Sequence, residues 1–129
     1  MAVTDSEGAR SVEWFAVRCV FAARSNKPWG PHDLPSGQSD YEERITLWQA
    51  RSLDEAIERA EAEAEDYAAV LECEYLGLAQ AYWLPDPPGA GVEVFSLIRR
   101  SSLGADPYLA SFFETGAERQ QTYGNGGAS

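Results

Sequence analysis

Alternating apolar and polar residues predict two β-strands in the first part of the chain. In residues 12–23, apolar side chains recur at every second position from Phe15 to Phe21, and this period of two is typical of a strand. Residues 41–50 alternate in the same way and contain the aromatic and β-branched residues that suit a pleated sheet. The two sides of this second strand carry Tyr41, Glu43, Ile45 and Leu47 on one and Glu42, Arg44, Thr46 and Trp48 on the other.

A helix is predicted directly after the second strand. Ser52 suits its N-cap, and Glu55, three residues on, can accept a hydrogen bond from the Ser52 backbone amide, as in a capping box. From Leu53 onward, apolar residues recur at spacings of three and four and form one stripe that can pack on a sheet. The opposite side of the helix is acidic and carries Asp54, Glu58, Glu61 and Glu65.

The second half of the chain predicts two more strands and a short helix. Residues 71–84 and 92–100 are apolar or alternating, and the Pro- and Gly-rich stretch between them predicts a hairpin. Gly77 predicts a bulge or a close backbone approach within the first of these strands. Pro107 suits the first turn of a short helix that ends near Glu114.

The resulting order of elements is β-β-α-β-β-α. It predicts an α+β fold: a four-stranded antiparallel sheet with one long acidic helix packed on one face, and a short C-terminal helix. Residues 12–116 then form a single domain, and residues 1–11 and 117–129 are predicted to be flexible tails. Within the domain, residues 24–40 form a long loop rich in Pro and Gly, which is either functional or disordered.

Six segments follow one another along the chain in a characteristic order: WFAVR, YEERITLWQA, SLDEAIERAEAEAEDYA, YLGLAQAYWL, EVFSLIRRS and YLASFFETGAER. Together they resemble a bacterial family known as domain of unknown function 4288, over residues 14–119. The resemblance implies a compact bacterial α+β domain that often stands alone. It implies no reaction, cofactor or partner, and residues 25–38 and 85–91 look particular to this chain.

The charge of the chain narrows the classes of partner. Its 129 residues include 10 Lys and Arg and 21 Asp and Glu, which gives a formal net charge of -11. This charge argues against nucleic acid and anionic membranes, because binding to either depends on Lys and Arg. It favours a basic protein partner, although solubility alone explains the charge equally well.

The sequence also predicts a soluble cytoplasmic protein. Its longest apolar run falls short of the roughly 18 residues that a membrane span needs, and its first residues lack the pattern of a signal peptide. Cys19 and Cys73 lie in apolar, strand-like stretches, where a free cysteine behaves as a small hydrophobic residue. Two cysteines in a chain of this size do not indicate a disulfide framework.

Few residues suit catalysis or metal binding. His32, the sole histidine, lies in the loop of residues 24–40 and is a candidate for proton transfer, as are Glu43 and Tyr41. Each has a simpler interpretation: His32 as an exposed loop residue, and Glu43 as the partner of Arg18 on the neighbouring strand in an ion pair. One histidine cannot form a multi-histidine zinc site, so neither a metal nor a cofactor is predicted.

The residues that remain are candidates for binding a ligand or a partner. The sheet face away from the helix is predicted to hold surplus aromatic residues around an arginine, which suits a protein or a flat ligand. A second core beneath the C-terminal helix is the competing interpretation. The acidic side of the long helix is either a recognition surface or a solvated face. The candidates are Arg18, Trp29, Arg44, Trp48, Tyr82 and Trp83, together with Glu58, Glu61 and Glu65 on the helix.

Two functions from different classes fit these observations. The first is a non-catalytic interaction module that engages a protein, such as a basic one, through the acidic helix and the aromatic sheet face. The second is a small cofactor-independent enzyme of biosynthesis, a cyclase or isomerase of secondary metabolism, with an aromatic pocket closed by the loop of residues 24–40. An exposed sheet edge and face also favour a homodimer.

Overall fold

The computed structural model describes residues 11–29 and 37–120. Its elements are strands β1 (Glu13–Ala22) and β2 (Tyr41–Ala50), helix α1 (Leu53–Leu71), strand β3 (Glu74–Trp83) and helix α2 (Ala105–Tyr108), which continues as a π-helical turn (Leu109–Phe113). The predicted α+β class with an antiparallel sheet is confirmed. Among the described residues, no helix has the length and apolar character needed to cross a membrane.

The sheet is antiparallel, with β1 in the centre between β2 and β3. Phe15 of β1 lies opposite Trp48 on one side and Trp83 on the other. Between the pairs formed by Cys19 and Phe21, β3 contains two additional residues, and Gly77 lies in this bulge with φ of +80°. The bulge predicted at Gly77 is therefore confirmed, and an insertion of two residues leaves the alternation of faces along β3 unchanged.

Helix α1 packs on one face of the sheet through small side chains. Its buried residues recur every four positions and meet the buried side chains of β1: Ala56, Ala60, Ala64 and Ala68 of the helix and Phe15, Val17, Cys19 and Phe21 of the strand. Because alanine adds only a methyl group, the helix axis can lie close to the sheet. The N-cap is the predicted Ser52, whose Oγ accepts a hydrogen bond from the Glu55 amide at 3.1 Å. The Glu55 carboxylate accepts from the Arg51 amide instead of the Ser52 amide.

The prediction of a fourth strand was wrong. The described residues form a three-stranded sheet, and residues 92–100 belong to no strand. Alternation shows which side chains lie on the same side of an extended segment. It does not show that the segment forms backbone hydrogen bonds with the edge strand of a sheet. Here the Phe95 ring lies 5.0 Å from the Arg18 guanidinium, over the face of the sheet. The part of the segment around Phe95 thus lies on the face of the sheet and does not extend the sheet beyond β3.

The last helix also differs from its prediction. It begins at Ala105, two residues before Pro107, with Gly104 as its N-cap. The order of elements is therefore β-β-α-β followed by α2, and the predicted second β-β-α half is not formed by the described residues. The chain divides into two compact units, residues 1–96 with the sheet and α1, and residues 97–129 with α2.

Candidate functional site: the open face of the sheet

The sheet face opposite α1 leaves large side chains exposed, and we call it the open face. It is formed by the even-numbered residues of β1 and β3 and the odd-numbered residues of β2, according to the strand register. Its exposed apolar or aromatic residues lie on both outer strands: Tyr41 (63 % exposed), Ile45 (43 %) and Leu47 (40 %) on β2, and Leu76 (43 %) and Leu78 (54 %) on β3.

Arg18 lies in the middle of this face, on the central strand. Its Nε donates to Gln80 Oε1 of β3 at 3.1 Å, and its Nη1 lies 3.3 Å from Glu43 Oε1 of β2. The guanidinium also stacks on the Phe95 ring. The ion pair predicted between Arg18 and Glu43 is therefore confirmed, and a single arginine side chain connects all three strands across the open face.

Tyr82 occupies the end of the open face near the turn after β3. Its ring centroid lies 5.8 Å from that of Phe95, and its hydroxyl donates to the Glu93 carboxylate. The segment after the turn thus covers this end of the face, and Ala16 of β1 is fully buried although it points away from α1. The part of the open face that stays exposed lies toward β2 and the bulged end of β3.

Arg44 lies on the opposite face, beneath α1. Its Nη1 and Nη2 donate to the two carboxylate oxygens of Glu63 at 2.8 and 2.9 Å, and its guanidinium lies 3.8 Å from the Tyr67 ring centroid. The Tyr67 hydroxyl in turn donates to Glu42 at 2.6 Å. The hydrogen bonds to Glu63 raise the pKa of Arg44, because they favour its charged form. This network joins β2 to the helix.

The three tryptophans among the binding candidates also pack against the core. Trp48 donates its indole N–H to Thr46, and Trp83 donates its indole N–H to Glu13. Trp29, in the loop after β1, donates its backbone amide to Asp40 at 2.9 Å. Of the six candidates, only Arg18 and Tyr82 lie on the open face, so the structure does not bring the predicted aromatic set together on one surface.

The acidic residues proposed on α1 take different roles. Glu61 turns toward the sheet and accepts a hydrogen bond from the Tyr75 hydroxyl at 2.5 Å. Burial and, to a lesser degree, this hydrogen bond to a carboxylate raise the pKa of Tyr75 well above its ordinary value. Glu58 and Glu65 are exposed on the outer side of the helix. The outer side remains acidic, but it is on the opposite side of the domain from the open face.

The candidates for proton transfer are not assembled into a catalytic arrangement by the described residues. Tyr41 and Glu43 are exposed at one end of the open face, and His32 lies outside the described residues. Burial raises the pKa of both Cys19 and Cys73, so neither has the lowered pKa that characterises a catalytic cysteine. Within residues 11–29 and 37–120, no three His, Cys, Asp or Glu side chains are grouped to hold a metal ion.

Sequence patterns missed the aliphatic part of the open face. Ile45, Leu47, Leu76 and Leu78 are apolar residues at alternate positions, and this pattern alone assigns them to a core. The one pattern that bears on this question is the stripe of buried alanines on α1 (Ala56, Ala60, Ala64 and Ala68), which we call the alanine stripe. Such small side chains pack on a sheet face that carries large ones, such as Phe15 and Phe21. Since both faces of the sheet carry apolar residues, that signal does not tell which face of β2 or β3 the helix covers.

Comparison with known proteins adds no family to this description. No protein-family model matches the chain, and neither a curated protein nor a solved structure is significantly similar to it. The resemblance to domain of unknown function 4288 therefore stays a prediction from the sequence, and the function is argued from the geometry of the open face.

Proposed function

We propose that this protein is a non-catalytic interaction module that binds a protein partner through the open face. The observation that carries the proposal is the cluster of exposed large side chains on the two outer strands, with Arg18 between them. Scattered apolar residues are normal on a protein surface, but a cluster of them rimmed by polar groups is characteristic of interaction sites.

The chemistry of the open face suits a protein partner. Aliphatic side chains such as Leu47 and Leu78 favour a complex that removes their apolar surface from water. Arginine and tyrosine are the residue types that most often dominate binding energies at interfaces, and Arg18 and Tyr41 supply them here. Arg18 is held in place by Gln80 and Glu43, so it would lose little conformational freedom on binding.

The negative charge supports the proposal through the rate of encounter. Residues 1–96 carry seven Lys and Arg against 18 Asp and Glu, so this unit holds the whole net charge of -11. A field of this sign accelerates association with a basic partner and loses its effect as salt increases. Since the exposed acids Glu58 and Glu65 are on the far side from the open face, we assign them to steering and not to contact.

Native mass spectrometry on tagged protein recovered from its own host tests the proposal. We expect a bound protein at low salt in the wild type, and its loss in Leu47→Asp, which places a charge on the open face. Val70→Asp is the matched control, because Val70 is an apolar residue of α1 that is 78 % exposed away from the open face.

Two results would overturn the proposal. If Leu47→Asp and Val70→Asp retain the same protein, the open face is not the binding surface. If the wild type instead retains a small molecule and no protein, the enzyme with an aromatic pocket is the better interpretation. Circular dichroism of each variant checks that the fold is intact, and both substituted positions are exposed enough to accept a charge.

A further inference from the structure

The outer edge of β2 presents a regular row of backbone groups. The Asp40 carbonyl accepts a hydrogen bond from the Ala23 amide at 2.9 Å, and this pair continues the register of β1 with β2. Hydrogen-bonded pairs alternate along an antiparallel ladder, so the even-numbered residues of β2 direct their backbone groups toward β1. The odd-numbered residues direct theirs away from the sheet. These residues are Tyr41, Glu43, Ile45, Leu47 and Gln49.

Most of this row is unused within the first unit. The Gln49 carbonyl accepts a hydrogen bond from the Arg59 guanidinium at 2.6 Å, so one end of the row is occupied. In the described part of the first unit, the outward amides and carbonyls from Tyr41 to Leu47 form no backbone hydrogen bond. A row of unpaired N–H and C=O groups is a template on which another strand can form.

The β2 edge lacks the common features that prevent pairing with another strand. Sheets often protect an edge with a lysine, a proline, a bulge or a very short strand. β2 has ten residues without lysine or proline, and it pairs with β1 without a shift in register. Beneath α1, the charge of Arg44 is already paired with Glu63. The β3 edge is different, because the bulge at Gly77 interrupts it.

Charge at the β2 edge favours a basic strand. The Glu43 side chain is 66 % exposed and reaches Arg18 through one contact of 3.3 Å. A positive charge opposite Glu43 on an added strand is favourable, whereas a like charge is unfavourable. The first unit carries a net charge of -11, so a second copy of the chain is repelled. Residues 97–129 have three basic and three acidic residues and offer no net positive charge.

We propose that a basic protein partner adds an extended segment to the β2 edge as a further strand. The inference rests on the proposed function, and it names the conformation and charge of the partner. The residues of the row place their side chains on the open face, so the added strand extends that face. Backbone hydrogen bonds then supply affinity, and alternate side chains supply specificity. We expect apolar side chains beside Ile45 and Leu47, and a Lys or Arg beside Glu43.

Amide hydrogen exchange of the full chain, followed by NMR, tests whether the edge is open. In the free protein, the outward amides of Glu43, Ile45 and Leu47 should exchange faster than those of Arg44 and Thr46, which face β1. The probe is the blocked peptide VTVTKTK, which in an antiparallel arrangement places valines beside Leu47 and Ile45 and a lysine beside Glu43. At a peptide concentration of about ten times its dissociation constant, exchange at the outward amides should slow about 10-fold.

A proline at the edge isolates the backbone hydrogen bond. Ile45→Pro removes an outward N–H and leaves the ladder with β1 intact, because proline is tolerated where the N–H faces away from the sheet. Ile45→Ala also removes the side chain but keeps the N–H. Ile45→Pro should bind VTVTKTK at least about 10-fold more weakly than Ile45→Ala, since a peptide carbonyl loses its partner. Ala81→Pro, at an outward position of β3, is the control and should bind like the wild type.

Several outcomes overturn the inference. Outward amides that are protected in the free protein would mean that the chain's own residues cover the edge, or a second copy if the protection grows with protein concentration. An absence of binding to VTVTKTK, or equally tight binding of the acidic peptide VTVTETE, excludes a basic strand. Equal affinities of Ile45→Pro and Ile45→Ala exclude the backbone hydrogen bond. If Ile45→Pro does not fold, the exchange measurement on the wild type decides.

The native mass spectrometry that tests the proposed function separates the two failures. If the recovered protein is lost in Leu47→Asp but retained in Ile45→Pro, the proposed function stands and this inference fails. If the wild type retains no protein and does not bind VTVTKTK, both fail. Loss of the recovered protein in Ile45→Pro, with retention in Ala81→Pro and slowed exchange at the outward amides, is the result we expect.

Discussion

The Arg44–Glu63 pair should contribute measurably to stability, whereas the Arg18–Glu43 pair should not. Arg44 forms two hydrogen bonds to Glu63 at 2.8 and 2.9 Å, and the two side chains are 26 % and 33 % exposed. Arg18 reaches Glu43 through one contact of 3.3 Å, and the Glu43 side chain is 66 % exposed. The two pairs belong to the same sheet, so each is a control for the other.

The expected energies follow from geometry and exposure. A bidentate, charge-assisted pair that is largely shielded from water should couple by about 1–2 kcal/mol. An exposed single-contact pair typically couples by about 0.2–1 kcal/mol, and we place Arg18–Glu43 at the lower end. Arg44→Met alone should cost more than its coupling, about 2–3 kcal/mol, because it also removes the contact with the Tyr67 ring and leaves Glu63 partly buried without a partner.

Double-mutant cycles with urea unfolding provide the assay. The first cycle uses Arg44→Met and Glu63→Gln, and the second uses Arg18→Met and Glu43→Gln. In each cycle, the change in unfolding free energy of the double variant is compared with the sum of the changes in the two single variants. The difference is the coupling energy of the pair. Repeating both cycles in 1 M salt should reduce the exposed coupling more than the shielded one, because salt screens charges that are in contact with water.

The reasoning would be refuted if the Arg44–Glu63 coupling were below about 0.3 kcal/mol, or if the Arg18–Glu43 coupling were the larger of the two. The first result would mean that desolvation cancels the attraction completely. The second would mean that Arg18 organises the open face energetically, and Glu43 would then regain interest as a functional residue.

Three further predictions concern buried groups and one helix end. The free energy of unfolding should fall as pH rises above about 9. Burial raises the pKa of Cys19 and Cys73 above the ordinary 9.0 and that of Tyr75 above 10.0, so the unfolded chain releases these protons at lower pH than the folded chain does. Thermal unfolding from pH 7 to 11 measures this fall. Glu72→Gly should stabilise by about 0.5–1 kcal/mol in urea unfolding, because Glu72 ends α1 at φ of +57°. Ala60→Leu should destabilise by about 1–3 kcal/mol in the same assay, since Ala60 is 1 % exposed against the sheet.

Each of these predictions has a result that contradicts it. A midpoint of thermal unfolding that stays constant up to pH 11 would mean that the thiols and the Tyr75 hydroxyl titrate alike in the folded and unfolded chains. A loss of stability in Glu72→Gly would show that the ion pair of Glu72 with Lys27 outweighs the backbone strain. A neutral Ala60→Leu would mean that α1 can move away from the sheet, contrary to the packing described for the alanine stripe.

The sequence by itself determined the elements that depend on local chemistry. The period of two marked β2, which the structure places at Tyr41–Ala50, and the side chain of Ser52 marked the start of α1. The bulge at Gly77 was predictable because glycine adopts positive φ without steric cost. All three are local properties, since the positions of neighbouring residues along the chain are sufficient to specify them.

Tertiary structure decided which face became the core and therefore where the candidate site lies. Arg18 and Arg44 occupy equivalent alternating positions in their strands, yet one is on the open face and the other binds Glu63 beneath α1. The same alternation predicted a strand over residues 92–100, but Phe95 packs on the face of the sheet instead. A period of two divides residues into two sets without telling which set the helix covers or which edge a segment pairs with, because both outcomes depend on contacts between residues that are distant in sequence.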